Sequence, residues 1–239
     1  MNDAAPAPDQ NRLLAALPRD IYRRLLSHLE PIAMPLGFTV HDASARQKYL
    51  YFLVAGIASR LFVTKDGSSA EVAVTGNEGM IGLALVTGTD STPDLAVMQS
   101  PGFGYRINAD VFKQEFSHNG ALHDLLLRYM QALVTQIGQT AVCYRHHTVQ
   151  QQLCRWLLAS IDRIRSNRLH MTQELIANML GVRRQGVAGA ARKLQEAKAI
   201  AYDRGLITIL DRKKLEARVC ECYEVVKREY DRILLRPAD

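Results

Sequence analysis

Cysteine is scarce in this chain. Four occur in 239 residues, at positions 143, 154, 220 and 222, and none precedes Cys143. So few in a chain this long do not make a secreted disulfide framework. Cys220 and Cys222 stand two apart, which suits neither a strain-free helical disulfide nor the CxxC spacing of a zinc knuckle. Buried, idle thiols are the first reading and redox sensing the second; no metal site is assigned. Long apolar runs are missing too. The longest uncharged stretch, Tyr129 to Tyr144, has 16 residues, among them three glutamines and two threonines. It is too short and too polar to span a bilayer. Met1 to Gln10 is rich in Ala and Pro without an apolar centre, unlike a signal peptide, and reads as disordered. A cytoplasmic protein with no membrane partner is expected. Catalytic signatures are also lacking: there is no Ser/His/Asp set, paired-carboxylate motif, phosphate loop or HExxH. His28, His41, His118, His123, His146, His147 and His170 are scattered. No catalytic residue is assigned, and an enzyme is not expected.

What is present is an uneven charge. The net charge is +6, yet residues 1–146 hold 12 Lys/Arg against 13 Asp/Glu, while residues 147–239 hold 18 against 11. The C-terminal segment either carries the electrostatic footprint for phosphate or has a solvated basic surface. Thr172 to Leu194, inside that segment, favours the first. Ala177, Gly181 and Val187 are spaced as a helix-turn-helix requires: a small residue where helices touch, a turn former, then an aliphatic residue. Ile176, Leu180, Val182, Val187, Ala191 and Leu194 supply the inner faces. Arg183, Arg184 and Gln185 open the second helix, the part that enters the major groove in this motif.

Asn11 to Glu30 has helical periodicity broken by Pro18. From Ile32 to Ile107 short β-like runs alternate with turn signals such as Lys65-Asp-Gly67, implying an antiparallel sandwich or barrel. A long helix spans about Ala121 to Tyr144. Leu126, Met130, Leu133, Ile137, Thr140 and Tyr144 form a heptad-like seam in it, the expected dimer interface, while Leu122, Leu125, Tyr129 and Ala132 form a second apolar row. Two buried faces are implied, one against the β region and one against a second copy, or else full burial within one chain. His146-His147-Thr148 ends that helix in a capping or hinge role, adjacent histidines on a helix end pointing apart. Val149 to Ile164 begins another helix, with Val149, Leu153, Trp156 and Leu157 in the core. Ile200-Ala-Tyr202 and Leu206-Ile-Thr-Ile209 flank Asp203-Arg204-Gly205 as a hairpin wing. One further amphipathic helix runs from Asp211 to Leu235.

This order resembles the Crp/Fnr family of transcription regulators from about residue 12 to 212. The most specific segments are Tyr49 to Gly56, similar to the family's strand leading into a glycine turn, and Thr172 to Leu194. The resemblance implies an α+β fold: an N-terminal antiparallel, jelly-roll-like β-roll, a long dimerisation helix and a C-terminal winged helix-turn-helix. The expected divisions are a disordered 1–11, a cyclic-nucleotide-binding-like effector domain at 12–118, a dimerisation helix and hinge at 119–146, and a DNA-binding domain with an extra C-terminal helix at 147–239. Partners implied are double-stranded DNA, a second copy, and RNA polymerase if the protein activates.

Departures from the family matter as much. Cyclic-AMP-binding members place a glutamate just after Ile-Gly, whereas here Ile81-Gly82 is followed by Leu83, Ala84 and Leu85. Those members also carry an arginine for the phosphate, and Asp90 to Leu95 has no basic residue. A buried phosphodiester without a cationic partner is poorly held, so cyclic AMP is not expected. Gly82, Leu83, Ala84 and Leu85 are the effector-pocket candidates, lining either an apolar site or a collapsed one. No N-terminal cysteine cluster exists for iron–sulfur, and a haem would have only His41 in the β region; no cofactor is evident. On DNA, the resemblance gives Arg184 and Gln185 base-reading roles, with Gln185 replacing the family's usual glutamate. Ala188 can meet a thymine methyl, and Gly189 stands where cyclic-AMP-binding members have another base-reading arginine. Thr172, Gln173, Arg183, Arg192 and Arg204 would position the backbone. The expected function is a homodimeric regulator on a palindromic operator; the competing one is a small-molecule binding module whose C-terminal domain contacts proteins.

Overall fold

The computed structural model describes residues 6–118, 120–164 and 166–234. A 3-10 turn at Pro8–Gln10 leads into α1 (Arg12–Ala15) and α2 (Arg19–Leu26), with Pro18 as the N-cap between them. The β region follows: β1 (Glu30–Met34), β2 (Thr39–His41), β3 (Tyr49–Ala55), β4 (Ala58–Val63), β5 (Ser69–Thr75), β6 (Met80–Ile81), α3 (Leu83–Thr87), β7 (Leu95–Met98), β8 (Gly102–Asn108) and α4 (Ala109–Phe116). Then come α5 (Ala121–His146), α6 (Val149–Ile161), β9 (Arg168–His170), α7 (Gln173–Leu180), α8 (Arg184–Glu196), β10 (Ile200–Asp203), β11 (Leu206–Ile209), α9 (Arg212–Glu216) and α10 (Cys222–Leu234).

Two four-stranded antiparallel sheets, ordered β1-β8-β3-β6 and β2-β7-β4-β5, make the roll. The first sheet is buried on both faces, which is why β3 reads as a continuous apolar run. Leu50 and Phe52 pack toward α1, α4 and α5. Tyr51 and Leu53 point between the sheets with Met34, Ala58 and Met98, as strand alternation dictates. The helices α6, α7 and α8 close a separate core with the sheet β10-β11-β9. Leu153, Trp156 and Leu157 lie in that core with Val149 at its edge.

Several expectations meet a different arrangement. Pro8–Gln10 is helical and Asn11 is fully buried, so residues 6–11 do not form a disordered tail; residues 1–5 lie outside the described residues. The Asn11 amide donates to the carbonyls of Leu53 and Gly79, both at 2.8 Å, and its oxygen accepts from the Leu13 and Leu14 N–H groups at 3.1 Å. One residue thus caps α1 and pins it to the roll. The single helix expected over 211–235 is split, because it must serve two cores. Leu215 and Val219 pack with the C-terminal domain, while Tyr230 and Ile233 join the core of the roll. The chain turns between them, and α10 lies along α5, where the Tyr230 hydroxyl donates to Gln136 at 2.7 Å. β1, β9, α3 and α4 had no sequence signal strong enough to read.

The seam on α5 needs the largest correction. Leu126, Leu133 and Thr140 are buried within the chain, and Met130 is half-buried against the same core. The Tyr144 hydroxyl lies 3.0 Å from the Glu71 carbonyl and 2.9 Å from that of Met179. Of the six residues only Ile137 remains exposed. The row open to water is instead Leu127, Val134 and Ala141, seven residues apart, flanked by Ile137, Gly138 and Val142. Both rows have heptad spacing, and the roll together with α10 takes the first.

Asn11→Ala leaves two carbonyls and two amides without partners and lowers unfolding free energy by about 3 kcal/mol. Denaturant titration measures this; a loss below about 1 kcal/mol would contradict the pinning role.

Candidate nucleic-acid interface

Thr172 caps α7, its hydroxyl accepting from the Leu175 N–H at 3.2 Å. Gly181 ends α7 in the left-handed conformation, φ 63°, where a glycine costs least. That turn sets α8 across α7. Val187, Ala190, Ala191 and Leu194 are buried, and the opposite side of α8 is left to solvent. Arg183, Arg184, Gln185 and Arg192 are exposed, Ala188 and Gly189 half-exposed. Arg192 approaches Glu196 at 3.9 Å, so part of its charge is spent within the helix. A methyl group at Gly189 would meet nothing within 4 Å; no packing inside the chain requires glycine there, although it costs a helix about 1 kcal/mol relative to alanine.

The wing turns tightly. Asp203 pairs with Leu206, leaving Arg204 and Gly205 as a two-residue loop with φ 46° and 81°, the positive angles of the type I′ hairpin turn. Arg204 is exposed at its tip. Thr172, Gln173, Arg184 and Arg204 converge on one cleft of about 560 Å³, which Glu174, Tyr202 and Gly205 complete. Tyr202 and Glu174 were not anticipated. Tyr202 is held there by donating its hydroxyl to the Met171 carbonyl at 2.8 Å; its place depends on the wing lying against β9 and the segment before α7, which local spacing does not reveal.

The effector-pocket candidates do not share one site. Ala84 and Leu85 are buried in α3 and Leu83 packs against the helical core; Gly82 alone touches an open cavity, of about 220 Å³, shared with His41, Arg46, Gln47, Lys48 and Tyr51. The basic residue missing from 90–95 is supplied from elsewhere. Arg60, on the same face of its strand as the inward Ala58, grips Asp94 through Nε at 2.8 Å and Nη2 at 2.9 Å. His41 Nε2 lies 3.5 Å from the same carboxylate. Burial opposes ionisation of Asp94, but these hydrogen bonds hold its carboxyl well below the usual range.

The outer face of the second sheet meets the C-terminal domain. β5 packs on α7, and Ser59, Glu71 and Val74 face Trp156, Ser160 and Met171 across a small gap. Glu71 is buried, and burial pushes its carboxyl up to about 7 despite the hydrogen bond from the Ser59 hydroxyl. A second group escaped the sequence reading. Cys143, His147, Cys220 and Cys222 bring one ligand atom each within 4.8 Å of one another, and could hold a metal ion. The four-residue step from Cys143 to His147 was a legible half of that pattern. The approach of Cys220 and Cys222 was not, because it arises from the turn between α9 and α10.

Residues 151–218 match the model of the Crp-like helix-turn-helix domain. No protein of curated function matches the chain in sequence. Among solved structures, FixK2 from Bradyrhizobium japonicum is similar with TM-score 0.69 and 13% identity, over 80% of this chain and 98% of that one. The c-di-GMP-responsive global regulator CLP of Xanthomonas campestris gives 0.63 and 14%, over 80% and 99%. A CRP/FNR-family transcriptional regulator from Thermus thermophilus gives 0.61 and 13%, over 82% and 98%. The chain has the Crp/Fnr regulator fold. Its helix-turn-helix is of the Crp-like type, and the roll and the long helix stand before it in the chain. Among the described residues, no helix of this Crp/Fnr-fold protein is long and apolar enough to cross a membrane.

Glu71 gives a pH signature. A carboxyl raised in the folded state binds its proton more tightly there than when unfolded, so its contribution favours folding below about pH 4.5 and is lost as pH rises to about 7. Across that window the change is about 3 kcal/mol. Comparing unfolding midpoints at pH 5 and pH 8, wild type should lose more stability than Glu71→Gln; parallel losses would exclude a buried, proton-binding Glu71.

Proposed function

We propose that the protein is a sequence-specific DNA-binding transcription regulator that acts as a homodimer on a palindromic operator. The observation that carries this is the convergence of the α7 N-terminus, the first turn of α8 and the wing tip on one open, arginine-bearing cleft. α8 enters the major groove with Arg184 and Gln185 leading. Arginine chelates guanine O6 and N7, and glutamine pairs with adenine N6 and N7. Ala188 offers a methyl-sized contact, and bare Gly189 lets the helix axis approach the base edges. Thr172, Gln173, Arg183 and Arg204 hold phosphates and fix register, with Arg192 a weaker contributor because of Glu196.

The second copy packs on the open row of α5. Leu127, Val134 and Val142 are 46%, 62% and 45% exposed, an apolar seam that water does not favour and that heptad spacing fits to a parallel partner. Two-fold symmetry then puts the half-sites about one helical turn apart. Cyclic AMP is not the effector in this reading: the arginine inside the roll is engaged by Asp94, and Leu83 stands where the cyclic-AMP-binding members carry a ribose-binding acid.

Arg184→Ala should cost about 1–3 kcal/mol on the selected operator and relax preference at one base pair. Arg204→Ala should weaken selected and random duplexes alike. Equal losses on both duplexes for both variants would contradict this division. Separately, Val134→Asp should yield a folded monomer by analytical ultracentrifugation, with operator binding weakened; a dimer that survives it would rule out the seam.

A further inference from the structure

We propose that Cys143, His147, Cys220 and Cys222 form a tetrahedral Cys3His site for one Zn²⁺ ion per chain. The distances fit a mononuclear ion. With Zn–S about 2.3 Å and Zn–N about 2.0 Å, tetrahedral geometry sets sulfur atoms about 3.8 Å apart and sulfur to nitrogen about 3.5 Å. Cys143 Sγ and Cys220 Sγ are 3.6 Å apart, and Cys222 Sγ is 3.6 Å from His147 Nδ1. All four atoms lie within 4.8 Å, too tight to surround an iron–sulfur cluster. Soft thiolates with one imidazole in this geometry select zinc among common divalent ions.

The surroundings match those of a metal site. His147 presents Nδ1 to the cluster, and its Nε2 is 3.3 Å from a Glu221 carboxylate oxygen. A metal-bound histidine typically donates its other N–H to such a group, which fixes the tautomer. Gln152 Nε2 donates to the His147 carbonyl at 2.9 Å, holding the hinge residue in place. Charge is balanced too. Three thiols release their protons on binding, so three thiolates and a neutral imidazole around a divalent ion leave a single negative charge. Arg155 is buried, its charge acts on both Cys143 and Cys222, and its Nε has no hydrogen-bond partner. A guanidinium buried without a full set of acceptors is costly; beside a thiolate–metal centre it has a counter-charge. The ion would join the end of α5 and the hinge to the turn before α10, tying the connection to the DNA-binding domain to the helix that covers α5.

The test uses the full chain purified under reducing conditions. Metal analysis should find about one zinc per chain. Cobalt(II) titrated into the metal-free protein should give a thiolate-to-cobalt charge-transfer band with the intense visible bands of tetrahedral coordination. Glu221→Gln, an exposed positioning residue, should weaken cobalt binding about 10–100-fold with the same spectrum. Cys222→Ser should cut the charge-transfer intensity by about a third. A wild-type chain that binds neither ion stoichiometrically, or gives the weak spectrum of six-coordinate cobalt, would overturn the proposal without recourse to any variant. An intensity unchanged by Cys222→Ser in a folded protein would do the same.

Discussion

Between Arg128 and Arg145 the long helix α5 carries no charge, so both of its faces cannot rest in water. That constraint organises the rest of the molecule. The roll covers one side: Tyr129 donates to the Met80 carbonyl at 3.0 Å and Gln136 to that of Val74 at 3.2 Å. The C-terminal helix α10 returns across the whole chain to cover the next, with Tyr230 bonded to Gln136. The Arg12–Asp231 pair at 2.9 Å closes the circuit to α1, although so exposed a pair adds little energy. One apolar strip is left over, and it is the strip that a second copy would need.

The DNA-binding domain is consequently not a free appendage. β5 lies against α7, the Tyr144 hydroxyl sits between the carbonyls of Glu71 and Met179, and half-buried Arg163 bonds buried Glu78 at 2.8 Å across the two domains. Removing either member of that ion pair would strand a buried charge, which is far more costly than losing a surface pair. The orientation of α8 is thus set through contacts with the roll, and the hinge at His147 and Thr148 is the short link where it can be biased. The proposed metal site stands at that link.

Much of this was readable in the sequence because it is local. Thr172 to Leu194 carries its cap, its left-handed glycine and its apolar spacing within 23 residues, and Asp203-Arg204-Gly205 states its own turn. The length and end of α5 followed from periodicity and from His147 and Thr148. What could not be read is which apolar row meets which partner. Leu126, Leu133 and Thr140 repeat every seven residues, as do Leu127, Val134 and Ala141, and only the placement of the roll and α10 tells them apart. The same limit hid the cysteine cluster, whose halves lie some 75 residues apart, and the Arg60–Asp94 pair, joined by β4 lying near β7. The buried Asn11 shows the reverse error: residues 6–11, polar and proline-rich in composition, are held to the roll by one side chain with four partners.

The proposed function requires α8 to be presented twice, in a symmetric pair, to one face of a duplex. Selecting bound sequences from a random DNA pool tests that most directly, since it reports affinity, base preference and symmetry together. The expected outcome is an inverted repeat with half-sites about one helical turn apart and a guanine contact in each. Enrichment of a lone half-site, or of no sequence at all at low ionic strength, would contradict it.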